Sequence, residues 1–208
     1  VVTGYSRPVH LRRTIESFLR INTYSNLELV LADDGSPAAL QAEMRQLPFD
    51  RFLLPDVNRG LGANTNAGLR AARGDFILQL QDDWLCEGPG GFVEAAIAVM
   101  TERPDIGLVL LCSRSPELHY STWTSKTGHV VRIFTSPPVN PHHFVYTDNP
   151  HIKSRAFVDF MGPYLEIRSM QKTEIDMRDR FNQQKRFVAA FIEGHHCFEH
   201  IGEDMSFN

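Results

Sequence analysis

Phe76-Ile77-Leu78-Gln79-Leu80-Gln81-Asp82-Asp83-Trp84 decides how the rest of the chain is read: an apolar run of strand length passes directly into an amide and two carboxylates. The same sequence of events occurs earlier. Leu27 to Ala32 is a short apolar strand halted by Asp33-Asp34-Gly35-Ser36-Pro37, and Phe52 to Leu54 is a third strand followed by Asn58-Arg59-Gly60-Leu61-Gly62. Helical segments separate these strands. Ser6 is expected to cap a helix begun by Pro8, with Leu11, Ile15, Phe18 and Leu19 on its buried face. Further helices are expected over Ala38–Leu47, over Ala63–Ala72 with Gly74 at its C-terminal stop, and over Phe92–Glu102 before a strand at Gly107–Leu111. Strand and helix in alternation predict an α/β fold, Rossmann-like, with a mostly parallel central sheet flanked by helices on both faces.

After Leu111 the alternation stops. Residues 113–150 are rich in Ser, Thr, Pro and His and read as hairpins and loops, with a β-like piece at His129–Phe134. A short helix is expected over Ser154–Phe160, a longer polar one over Thr173–Gln184 with Thr173 as its cap, and a strand over Phe187–Ile192. The expectation is one domain of 208 residues, in which 1–112 binds the ligand and 113–208 supplies specificity and chemistry.

Composition narrows the function. With 42% hydrophobic and 22% charged residues the chain resembles a soluble globular protein, and its apolar runs are too short to span a bilayer. A formal net charge of -4 argues against a general nucleic-acid binder, which needs a basic surface. Three widely spaced cysteines suggest neither a disulfide framework nor a zinc site and favour a reducing cytoplasm, with the inner face of the membrane as the other location considered. The opening Val1-Val2-Thr3-Gly4, without an initiator methionine, reads as a fragment entered at its first strand.

In an open α/β sheet the loops beyond the carboxyl ends of the strands form the ligand edge. Three of these loops are polar here: one carries Asp33 and Asp34, one Asn58, Arg59 and Asn64, one Gln81, Asp82 and Asp83. Together they offer carboxylates for a divalent cation, helix N-terminal amides for phosphate, and acceptors for a base or ribose. Taken singly, Asp34-Gly35-Ser36 is an ordinary turn, Gly60 and Gly62 can simply shape a loop, and Asp82-Asp83 can cap a segment. Their recurrence after successive strands argues for a shared site.

The order Val2-Thr3-Gly4-Tyr5-Ser6-Arg7-Pro8, Leu31-Ala32-Asp33-Asp34-Gly35-Ser36, Asn58-Arg59-Gly60 with Asn64, Asn66 and Gly68, then Gly74-Asp75-Phe76 leading to Gln81-Asp82-Asp83, resembles glycosyltransferase family 2, of the GT-A fold. The resemblance covers about half the chain closely. It implies a nucleotide-diphosphate-sugar donor (UDP, GDP or dTDP type), with Thr3, Tyr5, Arg7, Asp33, Asp34, Arg59 and Asn64 around the nucleotide. It also implies Mn²⁺ or Mg²⁺ on Asp83, the last acid of the family's DxD motif, with Asp82 as helper. Gln81 departs from that motif: it keeps an oxygen acceptor and loses a charge.

Several GT-A enzymes place a late histidine on the metal, and His200 in His200-Ile201-Gly202 is the match, ahead of His195 and His196. Family 2 enzymes invert, with a carboxylate base in the second half. Glu174 is the first candidate, Asp176 the second and the pair Glu203-Asp204 the third. Trp84, Trp123, His142, His143 and Tyr146 are candidates to line an acceptor groove for a glycan, a lipid-linked or a protein acceptor. Two other functions compete: a nucleotidyltransferase, for which Gly4-Tyr5-Ser6-Arg7-Pro8 is a poor phosphate loop, and a non-catalytic sugar-nucleotide-binding module, favoured by Gln81. A homodimer is the assembly considered.

Overall fold

The computed structural model describes residues 1–112, 119–134 and 145–202. In chain order these form β1 (Val2–Gly4), α1 (Pro8–Ile21), β2 (Val30–Asp33), α2 (Ala38–Met44), β3 (Arg51–Leu53), α3 (Leu61–Ala71), β4 (Phe76–Gln81), β5 (Trp84–Cys86), α4 (Phe92–Glu102) and β6 (Ile106–Leu110). The second half adds β7 (Tyr120–Thr124), β8 (Val130–Phe134), β9 (His151–Ser154), α5 (Arg155–Met161), α6 (Met170–Gln183), β10 (Val188–Ile192) and β11 (Phe198–His200).

Among the described residues nine strands make one sheet in the order β3-β2-β1-β4-β9-β6-β10-β8-β7, and β5 pairs with β11 in a separate ribbon. β3, β2, β1 and β4 run parallel. β9 is antiparallel to both β4 and β6, β10 is parallel to β6, and the β7–β8 hairpin closes the far edge. The sheet is therefore mostly parallel, with β8 and β9 reversed.

Each face is covered because each helix presents one apolar stripe. Leu11, Ile15 and Phe18 of α1 and Phe92, Ala96 and Val99 of α4 are buried in one core with Val2, Leu31 and Leu80 of the sheet. Leu69 of α3, Phe157 of α5 and Met177 and Phe181 of α6 form the other, against Ile77, Leu108 and Leu110. Burying a side chain such as Phe18 or Phe92 is worth roughly 1.5–3 kcal/mol, so these stripes, rather than capping, hold the layers together.

Several local expectations are corrected. Ser6 does not cap α1: it lies at φ 57°, its amide donates to Ser36 Oγ at 2.8 Å, and Arg7 occupies the cap position. Leu19 falls outside the buried stripe, at 38% exposed. α3 ends with Ala72 in an extended conformation, before Gly74 is reached. α6 begins three residues earlier than expected, capped by Ser169, whose side chain accepts from the Lys172 amide; Thr173 is instead buried and donates to the Leu165 carbonyl at 3.0 Å.

Candidate active site

The tip of β1 is the hinge of the site, because residues 4–7 touch both neighbouring strand ends. Toward β2, the Gly4 carbonyl accepts from the Asp34 amide at 2.9 Å. Toward β4, the Tyr5 amide donates to Asp82 Oδ2 at 3.2 Å, and the Arg7 guanidinium donates to Asp83 Oδ2 at 2.8 Å and to Asp82 Oδ1. The two acidic loops thus share one edge of the sheet.

Asp82 and Asp83 differ in what remains free. Asp82 is buried and both its oxygens are hydrogen-bonded; burial pushes its pKa up to about 7, against the lowering effect of Arg7. Arg7 is itself raised: burial opposes its charge, and Asp82 and Asp83 more than offset that. Asp83 is buried as well, yet its Oδ1 has no hydrogen-bond partner among the described residues. An orphaned carboxylate oxygen is costly in a protein interior, and a water or a cation would satisfy it.

His200 stands next to it. The β5–β11 ribbon pairs His200 with Trp84, and the Ile201 amide donates to the Asp83 carbonyl at 2.9 Å. That pairing brings His200 Nε2 to 3.3 Å from Asp83 Oδ2. No cluster of three or more His, Cys, Asp or Glu side chains is assembled for a metal among the described residues. The donor set nevertheless fits Mg²⁺ or Mn²⁺ of the kind that takes one or two protein ligands and fills its shell with substrate phosphate and water.

At the tip of β2 the polar side chains are already engaged by the protein. Asp33 is fully buried and accepts from the Ser36 amide at 2.8 Å, from Ser36 Oγ, and from Gln41 Nε2 at 3.1 Å. Thr3 donates to the Leu80 carbonyl, and Asn64 donates to the Ala32 carbonyl at 2.8 Å. Asp34 accepts from the Arg59 amide at 2.9 Å and the Gly60 amide at 3.0 Å, and burial raises its pKa. These two amides ahead of α3, expected to be free for phosphate, are therefore held by a carboxylate. Tyr5 and the Arg59 side chain remain exposed. A cavity of about 320 Å³ opens here, lined by Asp33, Asp34, Pro55, Arg59, Asn64 and Glu166 among others. The larger cavity, about 500 Å³, lies at the opposite edge around Val1, Leu29 and Gly74.

Glu174 and Asp176 point to different fates, since residues two apart on a helix are about 200° apart around its axis. Asp176 is tied to Arg180 at 2.7 Å, and Arg180 in turn holds the Met161 and Pro163 carbonyls. Glu174 has no such partner among the described residues; partial burial first, and Asp148 second, push its pKa up to about 7. A carboxyl poised there suits proton abstraction near neutrality. Of the expected groove residues, Trp84 and Tyr146 belong to the core, at 8% and 2% exposed, while Trp123 lies under Arg103. His142, His143, Glu203 and Asp204 lie outside the described residues.

The glycosyl transferase family 2 model matches residues 1–155, about three-quarters of the chain. The chain belongs to glycosyl transferase family 2. A relative named "Putative glycosyltransferase EpsH", of Bacillus subtilis (strain 168), is 38% identical over 89 residues, which is 41% of this chain and 26% of EpsH. A glycosyltransferase of Haemophilus influenzae is 28% identical over 109 residues, 52% of this chain and 36% of that protein. The matched stretches thus span between about a quarter and a third of these relatives. The crystal structure of S. aureus TarS in complex with UDP-GlcNAc superposes with a TM-score of 0.65 at 15% identity, covering 97% of this chain and 60% of that one. The fold is accordingly GT-A.

What the sequence did not reveal is the support of the site. Arg7 was expected beside the nucleotide and is found clamping both acids. Gln79, Asp148, Lys153 and Tyr164 form a buried polar cluster under α6 that no motif announced. The sequence around Lys153, His151-Ile152-Lys153-Ser154, is polar enough to pass for a surface segment, and only its place in a central strand shows a cation that needs a buried partner.

Proposed function

We propose that this family 2 chain transfers a sugar from a nucleotide-diphosphate donor to an acceptor hydroxyl, with inversion and with a divalent cation. The observation carrying the proposal is the buried Asp83 Oδ1, without a partner among the described residues, beside His200 and on the same sheet edge as the Asp33–Asp34 cavity. Asp83 and His200 would hold the ion, with Asp82 and Arg7 behind them. Bound there, Mn²⁺ or Mg²⁺ supplies positive charge against the negative charge that grows on the departing diphosphate.

The chain's own residues do the rest. Tyr5 and Arg59, exposed at the rim, take the nucleotide, while Thr3, Asp33, Asp34 and Asn64 hold the backbone that shapes its seat. Glu174 accepts the proton of the acceptor hydroxyl as that oxygen bonds to the anomeric carbon; the bond from that carbon to the diphosphate oxygen breaks, and its electron pair leaves with the nucleoside diphosphate. Asp176, bound to Arg180, is the weaker base candidate. The donor to try first is UDP-GlcNAc, because it is bound by TarS, a protein of the same fold. Residues 1–112 seat the donor and 113–208 contribute base and acceptor contacts.

The test is release of UDP from UDP-GlcNAc in the presence of Mn²⁺. Asp83→Asn is expected to lower turnover by roughly a hundredfold or more, in line with loss of charge stabilisation at a leaving group. A second reading, a non-catalytic sugar-nucleotide-binding module, is favoured by Gln81 and by Arg7 sitting on both acids. Donor-dependent thermal stabilisation with no turnover in either parent or variant would select it and end the catalytic reading.

A further inference from the structure

β11 is three residues long and lies outside the main sheet, yet it carries the side chain that stands beside Asp83. The His200 side chain is 40% exposed, so it is free to change rotamer unless neighbours prevent it. Two neighbours do. Trp84 lies directly opposite His200 in the β5–β11 register, where side chains share a face, and the two rings are 5.0 Å apart and inclined at 53°. The indole is a fixed wall. It belongs to the core shared with α1 and α4, and the Trp84 amide donates at 3.2 Å to Thr14 Oγ1, which donates at 2.9 Å to the Asp82 carbonyl. Its Nε1 has no hydrogen-bond partner among the described residues, so Trp84 meets His200 through its ring.

The second neighbour is Gly202. A Cβ there would lie 2.8 Å from His200 Nε2 and 2.5 Å from Asp83 Oδ2, too close for atoms not bonded to one another. Gly202 is not at positive φ, so the position requires a missing side chain rather than a glycine backbone. The Ile201 amide, donating to the Asp83 carbonyl at 2.9 Å, holds this stretch against the β4 tip. With the indole against its ring and a bare Cα at its Nε2 edge, the imidazole keeps Nε2 3.3 Å from Asp83 Oδ2.

We propose that Trp84 and Gly202 are positioning residues for His200, holding its Nε2 toward Asp83 so that both groups are set for a divalent cation before it binds. The proposal rests on the reading of Asp83 and His200 as the residues that hold the ion. Its physical basis is preorganisation: a side chain already confined loses less freedom on binding, and the groups around a metal-ligating histidine set its ring orientation.

The test is the factor by which Mn²⁺ strengthens UDP binding, taken from calorimetric titrations of UDP with Mn²⁺ and with EDTA. Trp84→Leu removes the aromatic wall and is expected to reduce that factor roughly three- to tenfold while leaving UDP affinity in EDTA unchanged. Trp84→Phe keeps a ring and is expected to retain most of the factor. Gly202→Ala is expected to reduce it as well; the atoms its Cβ would meet are side-chain tips, which can move aside, so the chain still folds and the cost falls on the site. Trp84→Leu added to His200→Ala should cause no further loss, because the indole acts through the imidazole. A parent-like factor in both Trp84→Leu and Gly202→Ala, with a reduced one in His200→Ala, would overturn the proposal and leave the ion reading standing. Weakened UDP binding in EDTA by Trp84→Leu would show that the indole serves the fold alone and would overturn its role. Absence of any Mn²⁺ effect in the parent, or a full effect in His200→Ala, would remove the ion reading and this role with it.

Discussion

Glu174 is only partly withdrawn from water, yet its proton is held more tightly in the folded chain than in the unfolded one, with a pKa of about 7 against an ordinary 4.5. The sign of the resulting stability change follows from linkage. Between about pH 4.5 and 7 the folded state binds more proton than the unfolded state, so the contribution of this group is complete at the acid end and is lost as pH rises through 7. Glu174→Gln substitutes a neutral amide that stays neutral, so its melting temperature should exceed that of the parent more at pH 8 than at pH 5. Asp82, also raised to about 7, keeps the same sign of slope in both proteins, so the slope should shrink rather than vanish. An equal offset at both pH values would show that Glu174 ionises as it does in water. Legibility at this scale was uneven. Asp82 and Asp83 stood out in the sequence because carboxylates followed a strand end in the family's order, whereas Glu174 and His200 were candidates only through the resemblance, one as a carboxylate near a helix start and one as a late imidazole. Which lone pairs are engaged could not be chosen: Asp33 and Asp83 look alike in sequence, but one has its oxygens engaged by Ser36 and Gln41 and the other keeps an oxygen without a partner among the described residues.

Elements were read best where one stripe and one stop define them. α4 lies at Phe92–Glu102 as its apolar spacing requires, and β4 lies within one residue of its expected end. β9 was missed because four residues, His151 to Ser154, carry no period, and because it enters the sheet from the second half of the chain between two strands of the first. The start of α6 was missed because two hydroxyl residues, Ser169 and Thr173, both suit a cap, and tertiary packing decides between them. That packing rests on a glycine. A Cβ on Gly62 would lie 2.1 Å from the Leu165 carbonyl oxygen, so the first turn of α3 and the 165–168 loop can meet only without a side chain there. Gly62→Ala should therefore push the loop and the attached α6 outward, costing about 1–3 kcal/mol as overpacking does. Urea unfolding reads that cost, and turnover should fall as well because Glu174 rides on α6. Unchanged stability would mean that the loop yields freely, and that the contact does not fix the helix.

At the scale of the whole molecule, the site depends on joining pieces far apart in the chain. Asp83 and His200 are 117 residues apart, and the joint is made by the β5–β11 ribbon outside the main sheet. Strand periodicity could predict the sheet, since each parallel strand repeats one pattern, but a three-residue ribbon closed by the last described residues has no pattern of its own. Only the family resemblance suggested His200. Its short length also makes the ribbon the least anchored part of the site, with few backbone bonds between β11 and the remainder. Ligand binding should then show two separable footprints in hydrogen exchange. UDP alone should protect the β2 and α3 side of the edge, residues 55–60, where the cavity lies. UDP with Mn²⁺ should in addition protect residues 198–202, because an ion shared by Asp83 and His200 ties β11 to the β4 tip. Asp83→Asn should abolish that second footprint and leave the first. Protection of 198–202 by UDP without metal, undiminished in Asp83→Asn, would show that the ribbon closes on the nucleotide itself and that His200 has no part in holding an ion.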